Sequence, residues 1–314
     1  MLAVGFTQYG DPDVLGTIEL AEPAASPGHV VVRVVASTVN PTDTLMRAGH
    51  QSSWMTELTP PYIPGLEFAG YIHGVSEGSA PLVVGDPVMG VVNARRPEGG
   101  SHAQYISVPA ISVAALPRSI DLAAAATIPM NGLTAELALR TLSLQPGDSL
   151  LVTGGAGAVG GYAIQLAKHS GLNVIADAQD SDVELLRELG ADEIVPRGGA
   201  MGAAVCRLHC DGVHGAIDAG LVGDRAAALV RAGGAFLCLR TSNAVQDQRL
   251  RHGYVSVVDE MQNAALLQHL VELLADGILT PRVAVRMPMS EAPDAHRLVE
   301  RGGLRGRVVL MFDR

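Results

Sequence analysis

Residues 152–168 constrain the fold of this chain more than any other segment, because a strand, a glycine-rich turn and a helix follow one another there. The turn fits the pattern GxGxxG. In such a unit the first glycine allows a tight turn, the second lets the main chain approach a diphosphate, and the third lets the helix pack closely on the strand. The diphosphate then accepts hydrogen bonds from free N–H groups at the helix N-terminus. The pattern therefore predicts a dinucleotide site at Gly154, Gly155, Ala156, Gly157, Ala158, Val159 and Gly160.

Acidic residues stand about 20 residues further on, where a carboxylate normally accepts a hydrogen bond from the ribose of NAD. Asp177 ends the next predicted strand, and Asp180 and Asp182 follow it. Three carboxylates would repel the 2′-phosphate of NADPH, so this segment favours NADH. A shift of one residue in the strand decides whether Asp177 faces the ribose. Further cofactor contacts are expected where later strands end, at Asp218, Leu239 and Arg240.

The chain changes character near residue 120. Residues 1–118 are rich in β-branched runs separated by proline and glycine, with strands predicted at 30–35, 65–72 and 88–92. From Asp121, a predicted N-cap, strands alternate with helices, which predicts a parallel, doubly wound sheet. Its strands are expected at 149–153, 173–177, 193–195, 214–218 and 234–239. A long helix is predicted at 260–276, and residues 283–313 return to strand, helix and strand.

Composition limits the classes of function. A chain of 314 residues with 48% hydrophobic residues is long enough for two globular domains. The net charge of −10 and the absence of a basic stripe argue against a nucleic-acid partner. No basic, apolar leader and no apolar run of membrane-spanning length is visible, so we expect no membrane association. Three cysteines indicate a reducing compartment, and we expect the cytoplasm.

One group of residues has the types that bind metals. Cys206, His209, Cys210 and His214 lie close together in the sequence, with the two cysteines one helical turn apart. An ordinary helix face is the alternative reading of this spacing, and we favour it. The sequence does not decide whether the group binds anything.

Several separate motifs resemble one superfamily. They are FTQYGDPDVL at 6–15, NPTD at 40–43, PGLEFAG at 64–70, GDPVMG at 85–90, GGSHAQYISVP at 99–109, IPMNGLTA at 128–135, LQPGDSLLVTGGAGAVG at 144–160 and GLRGRVVL at 303–310. In this order the chain resembles the medium-chain dehydrogenase/reductases, specifically their zinc-free quinone oxidoreductase branch. The resemblance implies an α/β fold with a GroES-like β-rich catalytic domain at 1–118 and 280–314 and a Rossmann domain at 119–279. The substrate would lie in the cleft between them.

The resemblance also concerns metal and chemistry. Zinc-dependent members carry a catalytic cysteine and histidine where this chain has residues 40–43 and Gly65-Leu66-Glu67, which supply neither thiolate nor imidazole. We therefore expect no metal, and direct hydride transfer from NADP or NAD to a quinone or an α,β-unsaturated carbonyl. The alternatives are a trans-acting enoyl reductase of polyketide or fatty-acid assembly, and a low-turnover NAD(P)H-binding redox sensor.

By resemblance, the candidate catalytic residues are Asn40, Tyr62 and Asn131, with Thr134 beside the nicotinamide. Asn40 would hold a substrate oxygen or the carboxamide, and Asp43 is expected to shape its loop. Gln51 stands where enoyl reductases of the superfamily place a tyrosine proton donor. His102 and Tyr105 are expected to pack beneath the site.

Two further expectations concern the cofactor and assembly. Arg197 matches a phosphate-contacting position, so the family favours NADPH while the carboxylates favour NADH, and the preference stays open. The family commonly forms homodimers through an edge strand, for which residues 253–258 are the candidate, with an ordinary internal strand as the alternative.

Overall fold

The computed structural model describes residues 1–239 and 245–312. The chain forms two compact units: the first comprises residues 1–130, 258–275 and 281–314, and the second comprises 131–257 and 276–280. Residues 119–130 and 258–275 thus group with the first unit. The domain limits expected from the resemblance stay a prediction.

The second unit contains the predicted parallel sheet, which is confirmed. Its strands are β8 (Ser149–Thr153), β9 (Asn173–Ala178), β10 (Glu193–Pro196), β11 (Val213–Asp218), β12 (Val230–Cys238) and β13 (Arg251–Gly253). Their spatial order is β10-β9-β8-β11-β12-β13, and each neighbouring pair is parallel. The chain therefore leaves β8 towards one edge and later returns to β11 to build the other half. A ligand crevice is expected at this reversal, outside the carboxyl ends of β8 and β11.

Helices connect these strands: α3 (Pro129–Leu142) before β8, then α4 (Ala158–His169), α5 (Val183–Glu188), α6 (Met201–Leu208) and α7 (Asp224–Ala227). All five residues of β8 are buried, as are the last five of β9. Strands with such continuous burial belong in a sheet covered on both faces. Gly190, which follows the C-cap residue Leu189 of α5, has φ +99°, a left-handed conformation that glycine adopts readily at a helix end.

The first unit is built around an antiparallel sheet, as its β-branched runs predict. Its elements in chain order are β1 (Leu2–Gly5), β2 (Gly16–Glu19), β3 (His29–Thr38), α1 (Pro41–Arg47), β4 (Glu67–Val75), β5 (Pro87–Val91), β6 (Tyr105–Pro109), β7 (Val113–Ala115), α2 (Leu122–Ala125), α8 (Ala264–Ala275), β14 (Val283–Pro288), α9 (Ala292–Arg301) and β15 (Arg307–Met311). β3 pairs with β4, β6 and β15. The C-terminal strand β15 thereby lies beside the end of β3, which brings residues from both ends of the chain together.

Two expected elements differ in the structure. The helix predicted at 260–276 begins at Ala264, after a short 3-10 turn at Val257–Glu260. The strand suggested for 253–258 is wrong beyond Gly253, because β13 covers only Arg251–Gly253. Val257 is buried in that 3-10 turn, whereas Tyr254 and Val258 are exposed. No helix among the described residues is long and apolar enough to cross a membrane.

Candidate cofactor and substrate sites

The glycine loop joins β8 to α4 with very little space around its main chain. A Cβ on Gly154, whose φ is +67°, would lie 2.7 Å from the Gly220 nitrogen, and one on Gly160 would lie 2.4 Å from the Gly154 oxygen. Neither distance is possible without moving the backbone. The first internal hydrogen bond of α4 runs from the Gly161 N–H to the Gly157 oxygen at 2.9 Å. The preceding N–H groups of the first turn have no acceptor within the helix and can face an anion.

Asp177 is directed towards this loop. Its Oδ1 accepts the Gly154 N–H at 2.6 Å, and its Oδ2 accepts the Arg197 Nε–H at 2.8 Å. The Asp177 side chain is only 2% exposed, while that of Arg197 is 34% exposed. The hydrogen bond to Asp177 raises the pKa of Arg197. Three predicted cofactor residues therefore meet, but the carboxylate is occupied by the protein rather than open to a ribose hydroxyl.

Asp218 holds the loop that follows β11. Its Oδ1 accepts from Thr153 Oγ1 at 2.5 Å and from the Val222 N–H at 2.9 Å, and its Oδ2 accepts from the Gly223 N–H at 2.7 Å. The side chain is completely buried. Asp218 thus shapes the turn packed against the glycine loop, and its carboxylate has its acceptor sites occupied by this turn.

The other predicted site residues of this part of the chain, the catalytic candidate Asn131 among them, lie on α3 and beyond β12. Asn131 is buried, and its Nδ2 has no hydrogen-bond partner among the residues that the structure describes. Thr134, one turn later, is half-buried. Leu239 directly follows β12, with its N–H 3.5 Å from the Asp218 oxygen. Arg240 lies outside the described residues.

The first unit contains a buried polar network centred on Glu67, at the start of β4. Its Oε1 accepts from Thr38 Oγ1 and, at 2.9 Å, from Arg307 Nη2, while its Oε2 accepts the Met130 N–H at 2.8 Å. Glu67 is completely buried and Arg307 is 7% exposed. Burial raises the pKa of Glu67, and the Arg307 charge opposes that shift. The ion pair is what permits a carboxylate at this depth.

Asn40 belongs to the same network. Its Oδ1 accepts from Arg307 Nη2 at 2.7 Å, and its Nδ2 lies 3.3 Å from Glu67 Oε1. Asp43 accepts the Asn40 N–H at 2.7 Å and the Gly65 N–H at 2.8 Å, so it shapes the loop as expected. Burial raises the pKa of Asp43. Hydrogen bonds at both Oδ1 and Nδ2 thus hold the side-chain amide of Asn40 in place.

His102 lies beneath this network, as expected. It is completely buried, and its Nε2 lies 3.1 Å from the Thr38 oxygen. Burial lowers the pKa of His102. Tyr105, on β6, is half-buried and contacts the His73 ring edge-on at 4.8 Å. These contacts give His102 and Tyr105 a packing role.

Tyr62 lies in an aromatic group with Phe6 and Tyr9. Its ring stacks on Tyr9 with centroids 5.6 Å apart, and its hydroxyl is 3.4 Å from the Leu58 oxygen. Burial raises the pKa of Tyr9, and a hydrogen bond to Tyr62 adds to the shift. Gln51, where enoyl reductases have a tyrosine, is buried with its Nε2 3.5 Å from the Thr42 oxygen.

Two family models and a plant reductase match this chain. Residues 26–118 match the family model for the alcohol dehydrogenase GroES-like domain, and residues 189–310 match the model for zinc-binding dehydrogenases. A 2-methylene-furan-3-one reductase of Solanum lycopersicum is 31% identical over 99% of this chain and 79% of that protein. The chain belongs to the medium-chain dehydrogenase/reductase superfamily. The predicted fold class and family are therefore confirmed.

Two further superfamily members are named for the class of compound on which they act. An NADPH-dependent alkenal/one oxidoreductase of Arabidopsis thaliana is 36% identical over 61% of this chain and 51% of that protein. The structure of the quinone oxidoreductase from Coxiella burnetii matches with a TM-score of 0.87 and 26% identity, covering 100% of this chain and 99% of that one.

The donor set of this superfamily member does not fit zinc. At the positions that the resemblance assigns to the catalytic ligands, Leu66 offers no donor atom and Glu67 is occupied by Arg307. Across residues 1–239 and 245–312, no three His, Cys, Asp or Glu side chains gather as a metal site. The Cys206 group is likewise dispersed, since His209 approaches Glu193 and His214 contacts Ser149.

Sequence reasoning missed Glu67 and Arg307 as members of the site. The available signal was a charged residue at the head of two otherwise apolar runs, EFAG and RVVL. Buried charges of this kind need a partner. Their partnership spans 240 residues, which no local pattern reveals.

Proposed function

We propose that this protein is an NAD(P)H-dependent oxidoreductase that transfers hydride to a quinone or an α,β-unsaturated carbonyl without a metal. The glycine loop carries the proposal: its main chain packs so closely that only glycine fits at 154 and 160, and it leaves N–H groups for a diphosphate. The names of the tomato, Arabidopsis and Coxiella relatives support the substrate class.

In this proposal each unit has a distinct task. Residues 154–160 hold the dinucleotide diphosphate, and Asn131 Nδ2, which has no partner within 1–239 and 245–312, donates to a carboxamide or substrate oxygen. Asn40 donates to the oxygen of the acceptor. The nicotinamide, when bound, supplies the hydride, so the protein contributes orientation and electrostatics. Tyr62, stacked with Tyr9, offers an aromatic surface for a planar acceptor.

The donor set around Asn40 supports independence from metal. A Lewis acid polarises an alcohol for oxidation, whereas conjugated carbonyls and quinones already accept hydride. The Glu67 carboxylate, which could otherwise ligate a metal, is paired with Arg307. Metal analysis of purified, active protein should therefore find well below one equivalent of zinc, and loss of activity with a chelator would count against this part of the proposal.

We propose NADPH as the preferred reductant. The Asp177 carboxylate is paired with Arg197, so it neither repels a 2′-phosphate as a free charge nor accepts readily from a 2′-hydroxyl. The partly exposed guanidinium of Arg197 suits a phosphate. The name of the Arabidopsis relative points the same way. Parallel titrations should give a lower Kd for NADPH than for NADH, and the reverse order would refute the preference.

The activity test is NADPH oxidation with a panel of quinones, free enones and enals, and trans-2-enoyl thioesters. Turnover with quinones or enones supports the proposal. Turnover confined to the thioesters favours the trans-acting enoyl reductase. Binding of NADPH without turnover on any member would favour the redox sensor instead.

Assembly and location complete the proposal. A homodimer would use β13, which stands last in the sheet order and has two exposed residues, Arg251 and His252. Sedimentation should give about twice the monomer mass, and a proline at 252 should reduce it. The three unpaired cysteines suit the cytoplasm, which cell fractionation would test.

A further inference from the structure

Arg307 opens the otherwise apolar strand β15 and is nearly buried. One of its nitrogens, Nη2, donates to three oxygens: Thr38 Oγ1 at 2.8 Å, Asn40 Oδ1 at 2.7 Å and Glu67 Oε1 at 2.9 Å. Burying a guanidinium costs free energy, and similar packing could be achieved by an apolar residue. An apolar residue could reproduce neither the ion pair with Glu67 nor the bond to Asn40, and the bond to Asn40 acts on a candidate catalytic residue.

That bond determines which way the Asn40 amide points. A guanidinium has only donors, so the amide must present its oxygen to Arg307. The amide nitrogen then lies 3.3 Å from Glu67 Oε1 and 3.4 Å from Thr38 Oγ1, the two other oxygens that Arg307 Nη2 contacts.

These two acceptors can engage only one of the two amide hydrogens. Glu67 Oε1 and Thr38 Oγ1 hydrogen-bond to each other, so they lie side by side. At such distances they subtend about 45° at the nitrogen, whereas the two N–H bonds diverge by about 120°. One hydrogen serves both oxygens, and the second is left to donate elsewhere.

We propose that Arg307 is a positioning residue, which orients the Asn40 amide so that its second N–H donates to the carbonyl oxygen of the hydride acceptor. The inference rests on the proposed function. When hydride forms the new C–H bond at the β-carbon, the C=C electron pair moves into the conjugated system and charge grows on that oxygen. The dihydronicotinamide is oxidised by loss of that hydride, and a proton from water then adds at the α-carbon. A fixed donor at the oxygen stabilises the developing charge.

A double-mutant cycle tests whether Arg307 acts on kcat through Asn40. Arg307→Met and Asn40→Ala should each lower kcat roughly 10- to 100-fold, as expected for loss of one oriented donor. Because Arg307 acts through Asn40, the double variant should be no slower than the slower single variant. Multiplicative losses would overturn the proposal, and so would an unchanged kcat in either single variant. Arg305→Met, two residues away and exposed, is the matched control with wild-type kcat.

Two further variants separate orientation from folding. Arg307→Lys retains a charge and a donor, so it should recover part of the kcat lost in Arg307→Met while KM stays close to wild type. Glu67→Gln combined with Arg307→Met removes both buried charges, which protects the fold if the single charge deletion does not fold. This double variant should still have a reduced kcat, and wild-type kcat in it would overturn the proposal.

A spectroscopic readout is independent of activity. The chain has six asparagines, so labelling with 15N-asparagine gives six side-chain NH2 signals, of which Asn40→Ala identifies one. That pair should shift in Arg307→Met, or in the Glu67→Gln double variant, and not in Arg305→Met. An unshifted pair would overturn the orienting role of Arg307. If the signals behave as expected but wild-type protein reduces no quinone or enone, the proposed function fails while the geometry stands.

Discussion

Replacement of Gly160 by alanine tests the glycine loop most directly. The new Cβ would lie 2.4 Å from the Gly154 oxygen and 2.8 Å from the Gly154 carbonyl carbon, both main-chain atoms that no rotamer change can move. Gly202, on α6, provides a matched control. A Cβ there would meet only Leu229 Cδ2, at 3.9 Å.

The expected magnitudes follow from this difference. Each substitution gains at most about 1 kcal/mol of helix propensity, because both glycines lie in the first turn of their helices. At position 160 the overlap costs about 1–3 kcal/mol, so Gly160→Ala should be destabilised by up to about 3 kcal/mol. Gly202→Ala should be stabilised by up to about 1 kcal/mol. Relief of the overlap moves the loop away from the helix N-terminus, so a charge-assisted hydrogen bond to the diphosphate is lost. Loss of one such bond weakens NADPH binding about tenfold or more.

The assay combines thermal denaturation with titration of NADPH by fluorescence or calorimetry. Gly202→Ala should keep the wild-type Kd and a Tm at or above that of the wild type. Gly160→Ala should raise the Kd about tenfold or more while remaining folded by circular dichroism. A Kd within twofold of wild type in a folded Gly160→Ala protein would refute the assignment of this loop to the diphosphate.

Three other perturbations have defined outcomes. Burial holds the pKa of His296 well below its ordinary value, so the unfolded chain binds more protons than the folded one. The free energy of unfolding should therefore fall as pH drops below about 6.5, by at most about 1.4 kcal/mol per pH unit. Urea midpoints at pH 7.5, 6 and 5 should show a smaller decline in His296→Gln than in the wild type. Asp218→Asn leaves a buried donor without its acceptor and should cost about 1–3 kcal/mol in urea unfolding, whereas the exposed Asp224→Asn should cost almost nothing. Arg197→Leu should raise the Kd of NADPH about tenfold and leave that of NADH within about twofold, and equal losses for both would refute a 2′-phosphate contact.

The acidic residue after the second sheet strand shows how far sequence reasoning reaches. Its position at the end of β9 could be predicted, because strand length and the spacing from the glycine loop are local properties. The hydrogen-bond partners of its carboxylate could not be predicted. The carboxylate binds Gly154 and Arg197, 23 and 20 residues away in sequence, and this choice depends on how β8, β9 and β10 pack side by side. The opposing arguments for NADH and NADPH arose from that missing contact.

The same distinction applies to the whole protein. The sequence alone determined the strand–helix alternation, the glycine turn with its steric demand, and the absence of thiolate and imidazole at residues 40–43 and 65–67, since each depends on residues close together along the chain. Only the tertiary structure decided that β15 returns to the end of β3 and brings Arg307 to Glu67 and Asn40. Hydrophobic periodicity records which face of an element is buried, but it carries no information about which buried charge another will meet.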